Sequence, residues 1–246
     1  MKSLLISAFL FLALVCRAQQ GTVLYKVTMK FNIHFDGADS VLAQSMPKEH
    51  SSMKKLSFTT DQFILQNEKE TQEADDQEIS GGNKIVIKTD EGNDKIYCDL
   101  KTLQKTEQRG FMDRNFLIVS NLGDYKWKLT GQHKKILNYD CQQAVLADTG
   151  RHITVWFTPE IAISAGPEGL GNLPGLILEA ELNNGQVIAT ATSVDLKTAV
   201  NASVFVIPHE GKKMTKDEFN KMVKEKTAEM DDGKGDGGNV IIKIKH

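Results

Sequence analysis

Few residues in this chain have the types and spacing that chemistry needs. Ser164, His152 and Glu160 lie close together in sequence and supply the three groups of a hydrolytic relay. However, Ser164 sits in no G-x-S-x-G elbow, and a relay is defined by geometry rather than by the presence of its residues. The six histidines, His34, His50, His133, His152, His209 and His246, show no H-x-x-x-H pair. Cys98 and Cys141 form no C-x-x-C, so no zinc-type ligand set is expected. Asp231, Asp232 and Asp236 lie in a glycine-rich stretch but lack EF-hand spacing and a closing glutamate. We expect no catalytic set, no metal site and no cofactor.

The N-terminus indicates a compartment. Lys2 precedes an apolar run from Leu4 to Val15, and Cys16-Arg17-Ala18 puts small residues three and one positions before Gln19. This is the pattern of a cleaved signal peptide, and the run is shorter than the roughly 20 residues of a membrane span. Val15 before Cys16 departs from a lipidation motif, which wants a small residue there. Domain expectations are therefore a signal peptide over 1–18 and one β-rich domain over 19–246. Without residues 1–18, 28 basic residues face 32 acidic ones. A net charge near −4 argues against nucleic acid, whose binding draws on clustered Lys and Arg. No later stretch is apolar enough to span a bilayer. In an exported chain, Cys98 and Cys141 read first as a disulfide, stabilising by about 4 kcal/mol on the chain-entropy view. Two separate buried thiols are the alternative.

The elements that would position these residues are mostly strands. Val23 to Ile33 alternates strictly, with Val23, Tyr25, Val27, Met29, Phe31 and Ile33 on one face. Residues 38–55 read as loop or short helix. Leu56–Thr59 and Phe63–Leu65 flank a turn at Thr60-Asp61. Residues 68–82 are acidic and polar and read as a solvated, mobile loop. Lys84–Lys88 and Lys95–Cys98 read as a hairpin across Asp90-Glu91-Gly92-Asn93. Further strands are expected at Phe116–Val119, Tyr125–Leu129, Gln143–Leu146 and His152–Phe157. Leu176–Leu182 and Gln186–Val194 pair across Asn183-Asn184-Gly185, which supplies the positive φ angles of a tight turn. One helix is signalled, Thr215–Met230, opened by the capping box Thr215…Glu218 and striped by Phe219, Met222, Val223 and Met230. A glycine-rich linker, 231–239, and a terminal strand, Val240–Lys245, follow. The expected fold is mainly β (α+β): a curved antiparallel sheet or half-barrel with one C-terminal helix packed on it.

One segment stands out. A strand ending at Trp156-Phe157-Thr158-Pro159 enters a loop carrying Gly166, Pro167, Gly169, Gly171, Pro174 and Gly175, then returns to a strand at Leu176. Glycine opens backbone angles closed to other residues and proline fixes φ, so a rigid, specified loop is expected. Gly166, Pro167, Gly171, Asn172 and Gly175 would shape it. Trp127, Trp156, Phe157, Leu170, Leu173 and Pro174 are the candidate lining of a ligand or partner site.

The run Asn172-Leu173-Pro174-Gly175-Leu176-Ile177 resembles the signature of the GLPGLI family, exported proteins of Gram-negative bacteria. Asn172 replaces the first glycine, and Asn tolerates left-handed angles better than most residues. The resemblance extends over Trp127, Tyr139-Asp140-Cys141, Arg151 and Trp156–Ile161. It implies export to the periplasm or beyond and a β-rich fold, and no known reaction. The order of elements is also similar to that of lipoprotein-carrier half-barrels. Together these readings lead us to expect an exported binding or accessory module whose partner is an apolar small molecule or an envelope protein. A periplasmic hydrolase using residues near 152–177 is the alternative.

Overall fold

The computed structural model describes residues 19–30, 48–68, 86–89, 94–111, 114–147, 150–232 and 241–244, with backbone alone for 86–89, 227–232 and 241–244. Expectations for the signal peptide, Phe31 and Ile33, the acidic loop beyond Glu68 and the linker beyond Asp232 lie outside these residues.

The strands are β1 (Gly21–Lys30), β2 (Glu49–Phe58), β3 (Gln62–Asn67), β4 (Val86–Thr89), β5 (Lys95–Asp99), β6 (Gln104–Phe111), β7 (Arg114–Asn121), β8 (Trp127–Ile136), β9 (Tyr139–Leu146), β10 (Ile153–Thr158), β11 (Leu176–Leu182), β12 (Val187–Asp195), β13 (Lys212–Met214) and β14 (Ile241–Ile244). One α-helix, α1 (Lys216–Asp232), is described. Twelve strands make a single open sheet in the order β13-β7-β6-β5-β3-β2-β1-β12-β11-β10-β9-β8. The fold is mainly β with a curved sheet and one helix. Every pairing in it is antiparallel except β13 with β7. No helix among the described residues is long and apolar enough to cross a membrane.

Alternation builds the core. Val23, Tyr25, Val27 and Met29 of β1 are buried, and the residues between them are partly or fully exposed. β1 lies at the centre and pairs with β12 on its other side, joining the first strand to one more than 150 residues later. Three apolar clusters follow. The largest gathers β1, β2, β3 and β5 around Tyr25, Phe58 and Phe63. A second gathers Val155, Phe157, Ile177 and Ala180 of β10 and β11. The third is formed by Phe111, Phe116, Ile118 and Phe219, with the α1 stripe residues Met222 and Val223 against it. Phe116 and Phe219 meet edge to face at 5.5 Å between centroids. The capping box forms: the Thr215 N–H donates to Glu218 Oε2 at 2.7 Å and the Glu218 N–H to Thr215 Oγ1 at 3.2 Å. The Asn183-Asn184-Gly185 turn forms at φ 52°, 56° and 79°.

Three local expectations are corrected. The 84–98 hairpin does not form, because β5 has β3 on one edge and β6 on the other; β4 pairs in parallel with β14 as a separate ribbon. Part of the presumed loop 38–55 is strand, since β2 starts at Glu49. The expected disulfide is absent: Cys98 and Cys141 are free, buried thiols. They belong to one apolar cluster, but six strands separate β5 from β9 in the sheet.

Candidate functional site

The Gly/Pro loop after β10 is folded into the sheet. Ile161, Ile163 and Ala165 are buried in the largest cluster, and Leu170 and Leu173 in the second. Backbone bonds hold its ends: the Leu176 N–H donates to Ile161 O at 3.0 Å, and the Ile177 N–H to Ala165 O at 2.9 Å. Buried Tyr25 donates to Ile177 O at 2.6 Å. Gly175 is there because a Cβ at that position would lie 2.0 Å from Thr158 O. At Gly166 a Cβ would come within 2.8 Å of Ile177 Cβ. A short turn, Pro167–Gly169, carries Glu168 at φ 54° and Gly169 at φ 71°. Gly169 lays the loop on Lys105, Ile96 and Cys98, where a Cβ would meet its closest neighbour at 3.1 Å.

Beneath this turn lies a cluster of buried charge. Glu168 reaches Lys54 Nζ at 2.8 Å and Arg109 Nη2 at 3.1 Å. Arg109 also pairs with Glu107 and with Asp94, at 3.1 and 3.3 Å. Glu107 in turn contacts Lys105 at 2.8 Å and Lys216, at the start of α1, at 3.2 Å. Lys54, Glu107 and Arg109 are 3, 1 and 7 % exposed. Four cations thus face three carboxylates, a balance that keeps charge tolerable inside a protein. Burial alone would raise Glu107, but Arg109, Lys105 and Lys216 outweigh it and hold the carboxyl at about 2. Burial raises Asp94 above the usual carboxylate range, only partly offset by Arg109, the Gly110 N–H and Lys54. Burial lowers Lys216, and Glu107 does not fully restore it. The cluster joins β2, β6, the loop turn and α1. It is a clamp, and we assign it a structural role.

The candidate lining divides. Phe157, Leu170 and Leu173 are core of the second cluster, and Trp127 packs against it. Trp127 Nε1 donates to Gly171 O at 2.8 Å, tying the loop to β8. Trp156 packs against the largest cluster under Lys134, whose Nζ lies 4.4 Å from the ring centroid and 2.6 Å from Glu179. Pro174 is at the surface. Ile161, Ile163, Ala165, Leu170 and Leu173 of the loop are themselves part of the core. Ser164, His152 and Glu160 are not joined by any hydrogen bond: Ser164 Oγ accepts from the Asn172 N–H at 2.7 Å, and Glu160 Oε1 from the Asp140 N–H at 2.9 Å.

An open cleft of about 230 Å³ lies against the loop. The loop forms one wall through Ile163, Ser164, Leu170, Gly171 and Asn172. The other comes from three connections between strands: Thr60, then Leu100 and Leu103, then Leu122, Gly123 and Tyr125. Tyr125 is stacked on Trp127 at 5.7 Å, with the Arg151 guanidinium 5.8 Å from its ring centroid. Both Leu103 and Asn172 hold positive φ, 55° and 63°. Sequence reading picked out Leu170, Gly171 and Asn172 of this cleft. It missed the opposite wall, whose residues are spread over three separate turns and share no motif. No group of His, Cys, Asp or Glu able to hold a metal occurs among the described residues.

Among solved structures, the chain is similar to PNGF-II in two crystal forms. Identity is 18 % and 20 %, the TM-scores are 0.51 and 0.52, and 85 % of this chain is covered in each. These likenesses establish a shared fold. The chain spans about a third of the length of those proteins, 34 % and 33 %. No curated protein matches it. A family model described as the N-terminal domain of N-glycanase peptide matches residues 70–219, which run from before β5 through the loop after β10 into α1 and hold all of the clamp except Lys54; the chain belongs to that family.

Proposed function

We propose that this chain is an exported accessory module that recognises glycoconjugate partners. The family match carries the reading, since the matched domain takes its name from an N-glycanase. The residues at the start of the chain support export to the periplasm or beyond. The resemblance of Asn172–Ile177 to the GLPGLI signature belongs to the same proposal. Two features of the site fit recognition. The loop is pre-formed, held by the Glu168 ion pairs and by Trp127, so little ordering cost falls on binding. The loop also lines an open cleft. The apolar-carrier variant of the expectation loses support, because the loop's own side chains are part of the core.

The test is a pull-down with the immobilised chain, using one N-glycosylated protein and the same protein stripped of its glycans. The proposal expects retention of the glycosylated form alone. Equal retention of both would redirect the reading to protein surfaces, and retention of neither would remove it.

A further inference from the structure

We propose that β8, the outer strand of the sheet, is an edge to which a partner protein adds an extended, acidic segment as one more strand. The proposal stands on the sheet edge and uses neither the cleft nor the glycoconjugate reading. β8 pairs with β9 on one side and ends the strand order. Residues Lys128 to His133 are exposed without a break. The Ala147 N–H donates to Lys126 O at 2.9 Å. Bonded pairs alternate along an antiparallel ladder, so Lys128 also bonds towards β9, and the main-chain groups of Trp127 and Leu129 point away from it. Unpaired groups of this kind are a template for another strand.

The two faces of β8 set the chemistry of the partner. Trp127 and Leu129 lie opposite Leu146 and Ala144, on the face that carries the second apolar cluster. Trp127 packs against that cluster, while Leu129 is 56 % exposed beside it. An apolar side chain of an added strand would cover Leu129. The other face carries Lys126 and Lys128, both exposed and without an ion pair among the described residues. From Tyr125 to Tyr139 the sequence holds Lys126, Lys128, Lys134 and Lys135 and no acidic residue. This charge keeps two copies of β8 from pairing, because like charges would face each other across the ladder. The complementary strand therefore alternates acidic and apolar residues, one kind on each face. Main-chain bonds give such an addition its affinity and the side chains give it its choice of partner. The bulge between Leu129 and His133, with Gly131 at φ 77°, ends the register, so the added strand pairs with Lys126–Leu129.

The experiment follows the fluorescence anisotropy of labelled peptides titrated with the full chain. One peptide alternates, Glu-Val-Glu-Val-Glu-Val-Glu, and the other has the same composition in blocks, Glu-Glu-Glu-Glu-Val-Val-Val. A double variant, Lys126→Glu with Lys128→Glu, changes two exposed side chains and should keep its Tm. We expect at least tenfold tighter binding of the alternating peptide and at least tenfold loss in the double variant. A peptide alternating Lys and Val should bind the double variant in place of the acidic one. With the acidic peptide bound to the wild type, hydrogen exchange should slow at the Trp127 and Leu129 amides and stay unchanged in β1. Equal affinity for the two acidic peptides would replace strand addition by plain charge attraction. Wild-type affinity in the double variant, or protection away from β8, would overturn the choice of edge. No binding of any peptide would overturn the proposal and leave the glycoconjugate reading to its own pull-down.

Discussion

Glu168 connects the loop to the sheet through two ion pairs. It holds a positive φ and makes ion pairs with Lys54 and Arg109, both almost wholly buried. Glu168→Gln keeps the shape but removes the charge, leaving two buried cations short of a partner. We expect a loss of about 3 kcal/mol, measured as a lower urea midpoint, because breaking one side of a buried ion pair strands the other. An unchanged midpoint would show that the clamp contributes nothing. The thiols give a second residue-scale prediction. Burial pushes Cys98 up to about 12 and Cys141 up to about 11. Since the thiolate is the reactive form, neither should react with a disulfide reagent at pH 8 in the native protein, and both should react in denaturant. An intact mass that rises by two hydrogens on reduction would instead reveal a bridge.

The helix α1 is attached to the sheet at few points. It rests on β7 mainly through Phe219, and its first turn depends on Thr215 and Glu218. Thr215→Ala should cost about 1 kcal/mol. The loss is expected first as faster hydrogen exchange in 216–226, with the exchange of β1 and β2 unaffected. Equal acceleration in the sheet would mean that the helix and sheet open as one unit. The strands divide by how legible they were. β1 and the β11–β12 hairpin announce themselves, the first by alternation and the second by the dihedral preferences of Asn and Gly. β6 does not. Its stretch Lys105-Thr106-Glu107-Gln108-Arg109 is polar on both faces and carries no alternation that would mark a strand. It is a strand because Glu168, Asp94 and Lys216 arrive from elsewhere to neutralise it.

At the scale of the whole molecule, the buried charges link stability to pH. The Glu107 carboxyl titrates at about 2 in the folded protein, below its ordinary 4.5. Its contribution is therefore complete above about 4.5 and is lost as the pH falls from there towards 2. Asp94 has the opposite sign: raised in the folded state, it favours folding at low pH and loses that contribution as the pH rises through its folded value. Unfolding free energies of wild type and Glu107→Gln, measured from pH 7 to pH 2.5, should converge below pH 4.5. Parallel curves would assign the loss to packing instead of charge.

Local physics left its marks in the sequence. Period-two alternation, the Asn-Asn-Gly turn, the Thr215–Glu218 cap and the Gly/Pro density of the loop each depend on neighbours a few residues apart, and each was readable there. Gly175 was recognisable as special, although the atom that demands a glycine, Thr158 O, is identified only by the folded backbone. Tertiary structure alone decided which strand edges meet, and so that β5 joins β3 and β6 instead of β4. It also decided that the loop joins the core, and that Leu103, Leu122 and Tyr125 come to face Asn172. Pairing and burial depend on groups separated by scores of residues. Their energies are set by which surfaces exclude water together, and no short window of sequence contains that information.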